Sequence, residues 1–320
     1  MKAFNLSVIG LYAALTALVL VIIATSFQWR GNDAGRDAQR VALSSSDSKD
    51  ESVEMFANDV DEGSAIETAD DAAKDAEFAS AATENARLKS ELDWTFGGKT
   101  QRGWYLYAPL IKELLGTDKG EESRGFALAL SRWQKSNGLE PRGVLDSDTL
   151  FRIIAVWQSH RIKDKTVPPV DKLFTAPVAD FYDPTRAEEL RRVEPQTYAA
   201  YKRMVAAAAQ ALKLGRARDG SLASGEQYLK IVSAFRSPEY QEKLRQQSPN
   251  SGPAGLAKVS PHFTGRALDL YVGGDPVSTE DSNRALQVNT KVYKWLVKNA
   301  SKFGFHPYFY EPWHWEYVGQ

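Results

Sequence analysis

At 320 residues the chain has room for about two ordinary domains, and a hydrophobic content of 43% with eight Trp excludes disorder throughout. Cysteine is absent, which excludes thiol catalysis, Cys-rich zinc sites and disulfides. The net charge of -1 hides an asymmetry: residues 31–93 hold 17 acidic side chains against 6 basic, so the remainder is basic. No Lys/Arg block is interleaved with aromatics, so no nucleic-acid partner is expected.

In chain order, Leu6 to Thr25 is a run of twenty residues without a charge. A helix of this length spans the roughly 30 Å apolar core of a bilayer, and secretory apolar regions are usually shorter, about 7–15 residues. Residues 1–28 therefore read as an uncleaved signal anchor, with a cleaved signal peptide as the alternative. Lys2 and Arg30 flank the run, so the charge rule does not orient it. Residues 29–93, rich in Asp, Ala, Ser and Glu, lack the apolar surface that would offset ordering entropy. They read as an acidic disordered tether, with transient helix around 72–92.

Order is expected from Trp94. Leu110, Ile111, Leu114 and Leu115 recur at helical spacing before Gly116, a C-terminal helix signal. Phe126, Leu130 and Trp133 repeat the pattern, and a third helix starts near Asp146 or Ser147 as N-cap. Residues 94–165 thus form a small all-helical domain. Residues 166–184, with Pro168 and Pro169, read as a linker.

The segment 185–320 opens on a helix-rich stretch. "YLKIVSAF" is strand-like, and Ser237-Pro238 opens a helix with Ser at the N-cap and Pro at N1. "ALDLYV" is a second strand. Val292, Trp295, Leu296, Ala300 and Phe303 share one face of a helix closed by Gly304, and "WHWEYV" is a last strand. Helices and strands mix without a βαβ rhythm, which predicts α+β.

The chemistry-bearing residues lie here. Asp269 sits in an apolar strand, on the face opposite Leu268 and Leu270. Burying it is costly unless it is paired or binds a metal. His262 precedes it across a Thr264-Gly265 turn, and His314 lies in another strand. Two imidazoles and a carboxylate can make a tetrahedral zinc site with one position left for water. The plainer readings stay open at this level: Asp269 paired with Arg266 or capping a turn, and each histidine a core or surface residue. His160 and His306 have no evident partner.

Two resemblances add to this. Trp133-Gln134 through Asn137-Gly138-Leu139, then Gly143-Val144, then Asp146 to Leu150, resemble the peptidoglycan-binding domain type 1 family, with Trp133 where Phe is usual. The likeness implies binding to cell-wall glycopeptide. "SAFRS", "SPHFTGRALDL" and "EPWHWEYVG", in that order, resemble the three motifs of VanY-type D-alanyl-D-alanine carboxypeptidases, members of the LAS group of zinc peptidases. This implies a LAS-type α+β zinc peptidase domain over 185–320. It places the Zn2+ ligands at His262, Asp269 and His314, the catalytic base at Glu311, and a catalytic and substrate-binding arginine at Arg236. Ser260 matches a serine near the substrate. Glu316 would share a strand face with His314, but Pro312 disrupts a straight strand and the family pattern points to Glu311.

The implied activity is removal of the terminal D-Ala from peptidoglycan stem peptides. The alternatives are an endopeptidase using the same zinc site and a non-catalytic wall-binding protein. A serine peptidase is excluded: the one S-x-x-K, Ser46 to Lys49, lies in the acidic segment and K-T-G is missing. The segment Gln247–Lys258 is expected to wall the substrate pocket. A wall substrate places the N-terminus in the cytoplasm, the anchor in the cytoplasmic membrane and the catalytic domain outside it.

Overall fold

The computed structural model describes the backbone of residues 62–319 and the side chains from residue 76. The proposed anchor, residues 1–28, and the first half of the proposed tether lie outside the described residues. Among the described residues no helix is long and apolar enough to cross a membrane.

The first element corrects the tether reading. Helix α1 spans Glu62–Glu91 and packs along α3 (Arg124–Ser136). Its contact stripe is narrow: Ala81, Ala82, Asn85 and Leu88 are buried while Glu84, Arg87 and Glu91 stay exposed. Asn85 makes the packing specific, because its amide donates to Gly143 O at 2.8 Å and accepts from Leu145 N–H at 2.8 Å. Composition averages this stripe with the acidic faces around it, which is why the segment reads as disordered from sequence.

The segment 94–165, expected to be all-helical, instead opens on a hairpin, β1 (Asp93–Phe96) and β2 (Lys99–Arg102), before α2 (Ala108–Leu115), α3 and α4 (Ser147–Ser159). Gly116 caps α2 at φ +62°, and Asp146 Oδ1 caps α4 by accepting from Thr149 N–H at 2.9 Å. Gln134, central to the peptidoglycan-binding likeness, is buried and ties α3 to the next turn. It donates to Val144 O and Thr149 Oγ1, both at 2.9 Å, and accepts from Gly143 N–H at 2.8 Å.

The stretch read as a linker contributes to the core. Strand β3 (Phe174–Thr175) pairs with β4 (Arg192–Val193), Ala176 and Phe181 are buried, and Phe181 bridges Ile231. Its prolines suggested a connector, but Ala176 and Phe181 pack inward while Val170, Phe174 and Val178 stay exposed. Helix α5 (Pro195–Leu212) starts on Glu194, whose carboxylate accepts from Gln196 and Thr197 N–H.

The remaining elements are β5 (Ile231–Ser233), α6 (Pro238–Gln247), the one-turn α7 (Gly252–Gly255), β6 (Ala267–Leu270), α8 (Asp281–Asn289), α9 (Lys291–Asn299), β7 (Phe305–Pro307) and β8 (His314–Tyr317). Strands β5-β6-β8-β7 make an antiparallel sheet in that order. Helices α5 and α9 bury Tyr201, Met204, Val292 and Leu296 in the core that also holds Leu268, Leu270 and Trp315. The class is α+β, as expected.

A second core joins the helical segment to the sheet segment. Tyr308, Phe309 and Tyr310 insert among Trp94, Tyr107, Ile111 and Trp157, with Phe309 stacked 5.7 Å from Trp157. Such a pair adds about 0.5–1.5 kcal/mol beyond its buried area. Buried Arg284 of α8 crosses the same boundary, donating to Tyr107 Oη at 3.2 Å, Gln101 Oε1 at 3.2 Å and Tyr310 O at 3.3 Å. Both segments fall within one compact unit, Val60–Gln320.

Candidate active site

The site is built around Asp269. It lies on β6, inside the sheet, directly opposite His314 on β8 and Ser233 on β5. A carboxylate this deep costs several kcal/mol unless it is fully partnered, and both its oxygens are. Oδ2 accepts from Arg236 Nη2, while Oδ1 lies 3.2 Å from His262 Nε2 and 2.9 Å from His314 Nδ1. Burial opposes its ionisation, but His262 and Arg236 prevail and hold the carboxyl well below its usual range.

His262 reaches Asp269 on a single 3-10 turn, Pro261–Thr264, closed by Gly265 at φ +69°. A Cβ at Gly265 would lie 2.9 Å from Leu173 and 3.0 Å from Glu194 N, so the turn requires glycine. Ser260 Oγ accepts from His262 N–H at 3.3 Å, which fixes the start of the turn. The His262 ring donates from Nδ1 to Ala234 O at 2.6 Å. A carbonyl can only accept, so in the neutral ring Nε2 carries the lone pair.

His314 is arranged in the complementary sense. Its Nε2 donates to Glu316 Oε1 at 3.2 Å, leaving the lone pair on Nδ1. With both rings neutral, three lone-pair atoms converge: His262 Nε2, Asp269 Oδ1 and His314 Nδ1. The three side chains are buried, and their ligand atoms lie within 4.8 Å of one another. A cation resolves that convergence, and this donor set fits a divalent metal ion. Without one, burial opposes a charge on His314, but hydrogen bonds to Asp269 and Glu316 raise its pKa to about 9. Burial, reinforced by Arg236, lowers His262 to about 4.

Glu311 stands beside this cluster. Strand β8 begins only at His314, and Glu311 lies in the turn before it. There Glu311 N–H donates to Tyr308 O at 3.1 Å and Glu311 O accepts from His314 N–H at 2.9 Å. Its Oε2 is 4.0 Å from His314 Nδ1. Burial pushes this carboxyl up to about 8. Glu316, two residues beyond His314, instead points to Arg161. Burial opposes its charge, but bonds to His314 and Arg161 hold it down to about 2.

A cavity of about 270 Å³ opens onto these groups, and its lining includes Arg236, Ser260, His262, Asp269, Glu311 and His314. The structure thus gathers all six predicted site residues. Arg236 is more tightly engaged than sequence suggested: besides Asp269, its Nε donates to Ser233 Oγ at 2.9 Å and its Nη1 to Gln241 Oε1 at 3.4 Å. The expected wall segment is in place, with Ser248, Ser251 and Pro253 to Ala257 lining the cavity. Tyr308 Oη pins it by donating to Ala254 O at 3.0 Å.

Arg161 and Tyr308 also line the cavity, and sequence reading passed over both. Arg161 follows the last turn of α4, 155 positions from its partner Glu316, in a stretch with no local pattern. The one available signal was Glu316 itself, an acid in a buried strand that demands a cationic partner. His160 and His306 do find each other, with ring centroids 5.2 Å apart.

The α+β fold thus presents to a small cavity a His-Asp-His cluster that could hold a metal ion, with a buried glutamate beside it. Residues 190–320 match the family model described as VanY, D-alanyl-D-alanine carboxypeptidase, and this part of the chain is a VanY domain. The match supports a D-Ala-D-Ala carboxypeptidase-like peptidoglycan hydrolase. No curated protein matches the chain.

Proposed function

We propose that this protein is a zinc-dependent D-alanyl-D-alanine carboxypeptidase that removes the terminal D-Ala of peptidoglycan stem peptides. The observation that carries the reading is the convergence of the lone pairs of His262, Asp269 and His314 beside the carboxylate of Glu311. Zinc held by those three residues would supply Lewis acidity and lower the pKa of a water toward about 7.

Glu311 is placed to take the proton of the attacking water and pass it to the departing amine, so that acid and base roles fall to one side chain. Arg236 holds Asp269 ionised and faces the cavity, where its charge favours an anionic carbonyl oxygen or the terminal carboxylate of the substrate. Ser260 sets the His262 turn and presents a hydroxyl to the same space. Ser248, Ser251, Pro253 to Ala257, Val277 and Thr279 would form the walls around the substrate.

The apolar run Leu6–Thr25 would anchor the protein in the cytoplasmic membrane with the catalytic domain outside it, where the wall lies. The helical segment 94–165 would add contact with peptidoglycan.

Mass spectrometry of a muropeptide pentapeptide incubated with zinc-loaded protein tests the activity. Release of single alanine is expected. Release of a larger fragment would indicate an endopeptidase, and no cleavage by fully loaded protein a wall-binding role.

A further inference from the structure

We propose that Arg161, contributed by the helical segment, is a positioning residue of the metal site: it fixes Glu316, and through Glu316 the tautomer and orientation of His314. The inference rests on the reading that His262, Asp269 and His314 hold a metal ion.

Glu316 is completely buried, and a carboxylate there needs a cation and a hydrogen bond for each oxygen. Arg161 supplies the cation side-on, with Nε and Nη2 both donating to Oε1. The next residue supplies the rest, Ile162 N–H donating to Oε2 at 2.7 Å. The oxygen that Arg161 holds, Glu316 Oε1, also accepts from His314 Nε2–H at 3.2 Å. A neutral ring donating from Nε2 offers its lone pair at Nδ1, the atom that faces Asp269.

Three of the five guanidinium N–H groups of Arg161 are engaged within the protein, two of them by Glu316. Its Nη1 donates to Gln158 Oε1 at 3.2 Å, and its flat face lies 4.0 Å from the centroid of the Tyr308 ring. The link of Arg161 to the metal site is the pair of bonds to Glu316. Lysine would supply the charge but not the fork that grips one oxygen from two nitrogens.

Arg161 lies outside the matched domain, residues 190–320. The helical segment thus completes the metal site as well as packing against the domain that holds it.

The test is the Zn2+ affinity of the full chain, measured by competition with a chromogenic chelator for wild type, Arg161→Gln, Arg161→Lys, Glu316→Gln and the Arg161→Gln/Glu316→Gln double variant. Loss of a group that orients a metal-bound histidine typically weakens affinity about 10–100-fold. Arg161→Gln is expected to fall in that range and Arg161→Lys between it and wild type. In the Glu316→Gln background the Arg161 change is expected to add less than about twofold, because its effect passes through that carboxylate. Arg142→Gln, which removes an exposed ion pair in the same segment, is the neutral control. Arg161→Gln within about twofold of wild type, or an equal loss with and without Glu316, would overturn the proposal. Circular dichroism of the metal-free proteins checks folding, and if Arg161→Gln does not fold, Arg161→Lys is compared in the two backgrounds by the same criteria. A wild-type protein that takes up no metal would overturn the metal-site reading itself, which separates the two failures.

Discussion

Asp269 on β6 and His314 on β8 stand directly opposite each other across two antiparallel strands, with Asp269 Oδ1 2.9 Å from His314 Nδ1. Backbone pairing therefore sets the separation of two of the three candidate ligands. The third, His262, is held by its own ring bond to Ala234 O. A site fixed this way is preorganised, so its parts can be removed one at a time.

Glu311 is the part whose loss separates chemistry from metal binding. Glu311→Gln keeps the shape and removes the proton acceptor. The kcat should fall about 10²–10⁴-fold, the usual contribution of a positioned acid–base group, while metal content stays at the wild-type level. Steady-state kinetics beside elemental analysis check this. A kcat within about fivefold of wild type would remove Glu311 from the proton-transfer role.

His306 makes stability depend on pH. Burial, aided by the nearby His160, lowers its pKa below 6.5. The unfolded chain thus binds the proton first as pH falls. Stability is expected to be highest above 6.5 and to decline below it, levelling off once the folded protein also takes up the proton. Thermal melts of wild type and His306→Gln across this range should differ most at neutral pH and converge on acidification. A difference independent of pH would assign the effect to packing alone.

Asn85 tests the docking of α1. Asn85→Ala strands the buried Leu145 N–H and Gly143 O, and each unsatisfied group costs about 1–3 kcal/mol. Denaturant unfolding should show a loss of about 2–6 kcal/mol for the two groups together, while Thr83→Ala on the exposed side should change stability by less than about 0.5 kcal/mol. Equal stability of wild type and Asn85→Ala would mean that α1 does not dock in solution.

Strands β5, β6 and β8 and helices α6 and α9 were legible in the sequence because the informative residues are local; the family resemblance joined the cluster, and β7 and α8 were not read. Asp269 interrupts an apolar strand, His262 precedes a Gly turn, and Pro312 displaces Glu311 from the strand of His314. What escaped reading depends on distant partners. Arg161 takes its meaning from Glu316, and the buried stripe of α1 from α3 and the Gly143 turn. The Tyr308-Phe309-Tyr310 run joins a core whose other half lies some 200 residues earlier. Arg161 is a single residue in an irregular stretch, the α1 stripe is short and built of small or polar side chains except Leu88, and the Tyr308–Tyr310 run is contiguous instead of periodic.

The central claim is that His262, Asp269 and His314 grip one metal ion. Elemental analysis of the purified full chain, beside His262→Ala and His314→Ala variants of confirmed fold, tests it most directly. Close to one zinc per wild-type chain after loading and removal of excess, with loss in both variants, is the predicted result. Folded wild type without bound metal, or variants that retain it at the wild-type level, would contradict the account.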